Sequence, residues 1–187
     1  MNDRDKRTTA RILTVNHAGE AGAIRIYQAR IFVCRRVHRD LVPFLEETLA
    51  HEIEHKTLFR DAMPSRAARP CRTLWLWGLG GSILGFVTAV LGKNMVWICT
   101  EAVEETVHKH LKDQLFFLDG KDDALATLIR SIQEEELSHL HHAKRAISAR
   151  NPLTNIVSAI IALSTEIVIW LTTQGDSAKM ARAIKRL

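Results

Sequence analysis

Proline and glycine are scarce in this chain. Only 4 prolines and 9 glycines occur in 187 residues, and five of the glycines (Gly78, Gly80, Gly81, Gly85, Gly92) crowd one stretch. Elsewhere long runs pass without a breaker, and no segment alternates apolar with polar residues as a half-buried strand does. Both observations favour an all-α fold, and the length suits one domain over 1–187 with a sizeable core. The cysteines are few and odd in number. Cys34, Cys71 and Cys99 form no CxxC pair, so they read as reduced thiols in a reducing compartment and not as a disulfide framework. Gly78-Leu79-Gly80-Gly81 fails the G-x-G-x-x-G pattern because Ile83 holds the last position, and no strand precedes it, so no nicotinamide or flavin site is expected. The formal charge of +5 suits an anionic membrane surface and nucleic acid equally. Basic and aromatic residues are not interleaved as in nucleic-acid modules, so no nucleic-acid partner is expected.

Apolar spacing predicts a first helix over Thr8 to His38, through Ile12, Val15, Ile24, Tyr27, Ile31 and Val37. Gly19 and Gly22 lie within it, as places where a neighbouring helix can come close. Pro43 suits the first turn of a second helix reaching about Ala62. A basic loop, 63–70, follows. From Leu74 to Gly92 no charged residue occurs. A third helical region, Asn94 to Leu118, ends at Gly120. A fourth starts after a cap at Asp122 or Asp123 and runs to about Arg150, where Asn151-Pro152 breaks it. A second apolar helix covers Thr154 to Gln174 with Glu166 as its lone charge. A short basic tail, Lys179 to Leu187, closes the chain. Residues 8–62 and 94–150 thus read as two helical hairpins.

Each hairpin carries the same pattern. Glu20 is followed by Glu52-x-x-His55, and Glu104 by Glu136-x-x-His139. Both intervals between the lone glutamate and the paired one are 32 residues. Side chains at i and i+3 share a helix face, so each pair aims a carboxylate and an imidazole at one point. About 0.6 Glu-x-x-His pairs are expected by chance from 12 glutamates and 9 histidines. Three occur, and only the two with upstream glutamates repeat the interval. Glu105/His108 has no such match and reads as surface or as an indirect support of the ligands. Four carboxylates and two imidazoles from four helices are what a bundle uses to hold two metal ions. The expected ligands are Glu20, Glu52, His55, Glu104, Glu136 and His139. Two iron ions per chain are expected, and manganese fits the same donors. Without cations such a buried cluster would carry severe repulsion and desolvation cost.

A rival signature overlaps the first half. His51-Glu52-Ile53-Glu54-His55 fits the His-Glu-x-x-His of zinc peptidases, with Glu52 as general base. It leaves Glu136, His139 and the repeated interval without a role. A ferritin-like iron-binding protein is a further alternative, against which the long apolar segments argue. Of the remaining histidines (His17, His110, His141, His142), His110 is the best candidate to support the ligands indirectly.

The charge-free run nominally spans a bilayer. Arg66, Arg69 and Arg72 precede it and Lys93 follows, and all four tryptophans lie in or beside the apolar segments. Crossing would place the two hairpins awkwardly for one shared metal site. The favoured expectation is a monotopic protein whose apolar segments, about 74–92 and 154–173, face the membrane; that both are core helices stays open. The N-terminus is charged, carries Asp3 and Asp5, and has no apolar stretch of a secretory signal. The chain is expected to work where it is made.

His17-Ala-Gly-Glu20, Arg25-Ile-Tyr27, Glu52-x-x-His55, Ala102-Val-Glu-Glu105 and Glu134-Glu-Glu-Leu-x-His139 resemble the demethoxyubiquinone hydroxylases of ubiquinone biosynthesis over nearly the whole chain. The resemblance implies a ferritin-like di-iron four-helix bundle with the six ligands above. It implies hydroxylation of a prenylated methoxy-benzoquinone ring with O2 and an electron donor not identifiable from the sequence. In this class of bundle Glu52 and Glu136 would bridge the ions, with Glu20 and Glu104 more terminal. It further implies attachment to the membrane holding the quinone pool, here the cytoplasmic face of a bacterial inner membrane, and company with a second copy or other ubiquinone-biosynthesis proteins.

Overall fold

A computed structural model describes residues 1–184. Among them the ordered elements are helical: α1 (Asp3–Val37), α2 (Val42–Asp61), α3 (Leu74–Val90), α4 (Lys93–Leu118), α5 (Asp123–Ala146), α6 (Pro152–Thr172) and α7 (Asp176–Ile184), with short 3-10 turns at Arg39–Leu41 and Pro64–Arg66. The all-α expectation holds.

Capping chemistry sets several ends. Asn2 accepts a hydrogen bond from the Asp5 amide, and Asp3 and Asp5 occupy the positive end of α1. The helix therefore starts five residues before the expected Thr8. Asp122 accepts from the Leu125 amide and caps α5. Arg66 grips the same carboxylate with Nε and Nη2, at 2.6 and 2.8 Å, and so ties the 3-10 turn to this cap. α5 ends at Ala146, short of the expected Arg150, because the Asn94 side chain captures the Ser148 and Ala149 amides and the Ala149 carbonyl. A capping box between Asn151 and Thr154 then starts α6. The expected basic tail is instead the short helix α7 as far as residue 184; 185–187 lie outside the described residues. Asp176 anchors it, accepting from Thr8 Oγ1 at 3.0 Å and Arg11 Nη1 at 2.7 Å.

α1 packs on both α2 and α3, and α4 packs on α5, α6 and α7. Two apolar clusters lie toward opposite ends of the α1, α2, α4, α5 group. One holds Ile12 and Leu13 (α1), Phe59 (α2), Leu111 and Leu118 (α4), and Leu125, Ile129 and Ile132 (α5). The other holds Tyr27 and Ile31 (α1), Leu45 (α2), Val96 and Trp97 (α4), and Ala143 (α5). On every one of these helices the glutamate of the repeated pattern sits between the two clusters in sequence. The 32-residue interval is the path up one helix and back down the next to the same level.

Glycine lets α3 lie against α1. A Cβ added at Gly81 would stand 2.3 Å from the Gly22 carbonyl oxygen, and one at Gly85 2.3 Å from that of Ile26. Gly22 in turn faces the Trp77 ring. Gly19 meets nothing, so only Gly22 of the α1 pair serves close approach. Gly85→Ala is expected to lower stability by roughly 1–3 kcal/mol, since backbone must move to admit the methyl. Gly80→Ala, with open space around it, is expected to raise stability by up to about 1 kcal/mol. Denaturant unfolding of the two variants checks the contrast.

Both apolar helices keep large side chains exposed: Trp75, Leu79, Ile83 and Phe86 on α3, and Ile156, Ile160, Leu163, Ile167 and Trp170 on α6. Among the described residues α6 alone is long and apolar enough to cross a membrane, judged by length and composition. The charge-free run yields a helix of only 17 residues, at the short end of the roughly 17–25 that a span takes. Trp97 also departs from the interfacial expectation: it is buried against Phe44 and His142.

Candidate metal centre

The level between the two apolar clusters is polar and closed. Glu20 reaches it from α1, Glu52 and His55 from α2, Glu104 from α4, and Glu136 and His139 from α5, all six buried. They form two overlapping groups. Glu20, Glu52, His55 and Glu136 make one, and Glu52, Glu104, Glu136 and His139 the other. Within each group one ligand atom per residue lies within 4.8 Å of every other. Glu52 and Glu136 belong to both.

Each imidazole turns Nδ1 inward and Nε2 outward. His55 Nδ1 lies 3.1 Å from Glu136 Oε1, and His139 Nδ1 3.3 Å from Glu136 Oε2. Glu136 thus receives one ring on each oxygen. The outer partners differ. His55 Nε2 meets Glu135 Oε2 at 3.2 Å, whereas His139 Nε2 meets His51 Nδ1 at 3.0 Å, with the two rings stacked. Tyr27, the one tyrosine of the chain, donates its hydroxyl to Glu104 Oε1 at 3.3 Å.

The electrostatics are those of a site built for cations. Burial pushes the Glu20 carboxyl up to about 7, with the Glu136 charge adding to it and a hydrogen bond with Glu52 opposing. Burial and then the neighbouring carboxylates hold Glu52 and Glu104 well above the usual range. Glu136 goes the other way. Burial disfavours its charge, but hydrogen bonds from His139, His55 and Glu104 outweigh burial and hold it well below the ordinary value. For His55 burial opposes the cation, yet the Glu136 hydrogen bond and the Glu20 and Glu136 charges raise it to about 9. Glu52 Oε1 is buried with no hydrogen-bond partner, a condition that a buried oxygen rarely tolerates and that a metal ion would relieve. Carboxylate oxygens with one imidazole per group suit iron or manganese, so the residues fit a pair of divalent ions.

The other sequence expectations divide. His51 belongs to neither group. Its Nδ1 faces His139, so the His-Glu-x-x-His zinc set is not assembled. His110 sits away from the cluster and pairs with Glu166 Oε2 at 2.8 Å, beside Lys109 at 2.7 Å. These two contacts hold the lone charge of α6 and fasten it to α4. Glu105 is exposed and pairs with Lys144, in keeping with its surface reading. His17 is buried with neither ring nitrogen partnered. Sequence reasoning missed Glu135 and the partnership of His51 with His139. The only signal was their position one residue before Glu136 and Glu52.

The family model described as ubiquinone biosynthesis protein COQ7 matches residues 7–172. The chain is 34% identical to a 3-demethoxyubiquinol 3-hydroxylase of Rhodospirillum rubrum, over 87% of this chain and 76% of that protein. It is 33% identical to an NADPH-dependent 3-demethoxyubiquinone 3-hydroxylase of Dictyostelium discoideum, over 88% of this chain and 76% of the relative. The human protein of that same name is 32% identical, over 87% and 76%.

Proposed function

We propose that this chain, which belongs to the COQ7 family of ubiquinone biosynthesis proteins, is a ferritin-like di-iron monooxygenase of one domain that hydroxylates the ring of a prenylated demethoxy-benzoquinone. The observation that carries the reading is the pair of overlapping groups with Glu52 and Glu136 in common. In this reading those two carboxylates would be shared by the two ions. Glu20 and His55 would help hold one ion, and Glu104 and His139 the other. When bound, the metal pair supplies the activation of O2, with electrons from a donor outside the chain.

The protein's own part is positioning and exclusion. Glu135 and His51 hold the two imidazoles by their outer nitrogens, with each Nδ1 turned toward Glu136 and free to serve a metal ion there. Tyr27 restrains Glu104 through its hydroxyl. The apolar clusters above and below keep bulk water from the reacting centre. The exposed faces of α3 and α6 rest in one leaflet at the cytoplasmic face of a bacterial inner membrane, and the polyprenyl substrate enters from the lipid.

The unequal outer partners make the two metal positions distinguishable. Glu135→Gln is expected to weaken the ion on His55 by about 10–100-fold and to leave the ion on His139 unchanged. A stepwise anaerobic Fe(II) titration of the variant checks this through one displaced and one retained binding phase. The reaction itself is tested by quinone profiling of a strain deleted for this protein. Accumulation of the demethoxy intermediate, relieved by the wild-type chain, is expected. An unchanged quinone pool would refute the proposed activity.

A further inference from the structure

We infer that the trough between α2 and α3 is a binding site for the headgroup of an anionic phospholipid. α1 forms its floor, α2 one wall and α3 the other, around a cavity of about 800 Å³. That is within the ~300–1,000 Å³ typical of ligand pockets. The two walls differ in chemistry. Lys56 and Arg60 line the α2 wall and Arg25 rises from the floor, while Leu74, Trp75 and Leu79 line the α3 wall. No carboxylate lines the trough. Among the described residues none of the three cations has an ion-pair partner; Arg25 reaches only the Gln28 side-chain oxygen, at 3.2 Å. Trp75 and Leu79 are exposed, 66% and 52%, and continue into the apolar face of α3.

One basic wall beside one apolar wall selects the occupant. A neutral quinone with its isoprenoid tail would leave three cations unmatched. A nucleotide would leave the apolar wall against water. A phospholipid with net negative charge matches both, with its phosphate against Arg25, Lys56 and Arg60 and its acyl chains along α3. The site rests on the membrane-attached reading above and adds a lipid preference to it. It would fix the depth and rotation of the protein on the bilayer, with α3 inserted beside the bound headgroup.

The test uses the full chain in two formats. In the first, tryptophan emission is followed with dihexanoyl phosphatidylglycerol below its micelle concentration. A saturable change is expected, absent with dihexanoyl phosphatidylcholine and lost in the R25Q/K56Q/R60Q variant. In the second, cosedimentation compares neutral vesicles with vesicles holding phosphatidylglycerol. The wild type is expected to bind the anionic vesicles at least about tenfold more tightly. The triple variant should lose that gain while keeping its binding to neutral vesicles. K112Q/R130Q/R145Q, which removes equal charge from α4 and α5, should keep it. Equal loss in both variants, or no loss in the first, would overturn the site. So would NADPH producing the same R25Q/K56Q/R60Q-sensitive emission change in place of the lipid. Failure to bind vesicles of either kind, with the short-chain response intact, would refute membrane attachment and leave the headgroup site standing.

Discussion

If the proposed di-metal reading holds, Glu136→Ala is expected to leave the helices in place and to remove both metal ions. The carboxylate is shared by the two groups and takes one imidazole on each oxygen, so no single change reaches more of the centre. Loss of a supporting residue around a metal ligand already costs about 10–100-fold in affinity. Loss of a shared ligand is expected to cost more than about 100-fold at both positions and to abolish hydroxylation. Glu20→Ala is the informative contrast. Glu20 belongs to one group only, so that variant is expected to keep the ion held by Glu104 and His139. Metal content by mass spectrometry, with far-ultraviolet circular dichroism to report the fold, separates the two cases. Full hydroxylation by Glu136→Ala would defeat the assignment.

The metal-free protein is expected to lose stability as pH rises from about 5 to about 9. Glu20 is raised from 4.5 to about 7 in the folded state. Its contribution is fully present below pH 4.5 and is lost as pH rises through about 7. Each tenfold gain in proton affinity on folding is worth about 1.4 kcal/mol, so the loss is about 3 kcal/mol. Glu52 and Glu104, also raised, act in the same direction. So does His55, whose contribution is present below 6.5 and disappears through about 9. Glu136 has the opposite sign: its contribution is present above 4.5 and is lost only as pH falls through its depressed value, outside this window. Divalent metal reverses the trend, because binding displaces the protons that the raised carboxyls hold and tightens as pH rises. Urea unfolding of chelator-treated and iron-loaded protein across this range should give slopes of opposite sign. Parallel slopes would contradict the electrostatic account of the cluster.

The repeated interval made the meeting of the six residues at one level legible, because it is a property of the chain itself. Two helices joined by a short turn bring residues equidistant from that turn to one level, and the i, i+3 pair then fixes the face. On α1 the apolar spacing marked Ile12, Tyr27 and Ile31, which lie in the two clusters, but also Val37, which is exposed. What escaped the sequence is pairing between helices whose register the turn does not set. Glu135 lies on α5 and meets His55 on α2. His51 lies on α2 and meets His139 on α5. These pairings depend on how the two hairpins dock, which no pattern within one hairpin carries. His110 was misplaced likewise, since its partner Glu166 comes from α6. α7 escaped because it is short and held to the body by Asp176 through Thr8 and Arg11, more than 160 residues earlier. The end of α6 shows the limit of reading breakers. Gln174 and Gly175 adopt positive φ, 52° and 80°, and let α7 begin at Asp176 beside them, where composition suggested only a tail.

The most direct test of a dinuclear centre is the iron content and Mössbauer spectrum of protein isolated and loaded with Fe(II) without oxygen. Two iron ions per chain and two resolved environments are expected, one of which Glu135→Gln perturbs alone. A single zinc per chain, or iron that still binds in pairs when Glu52 and Glu136 are both replaced by alanine, would contradict that centre.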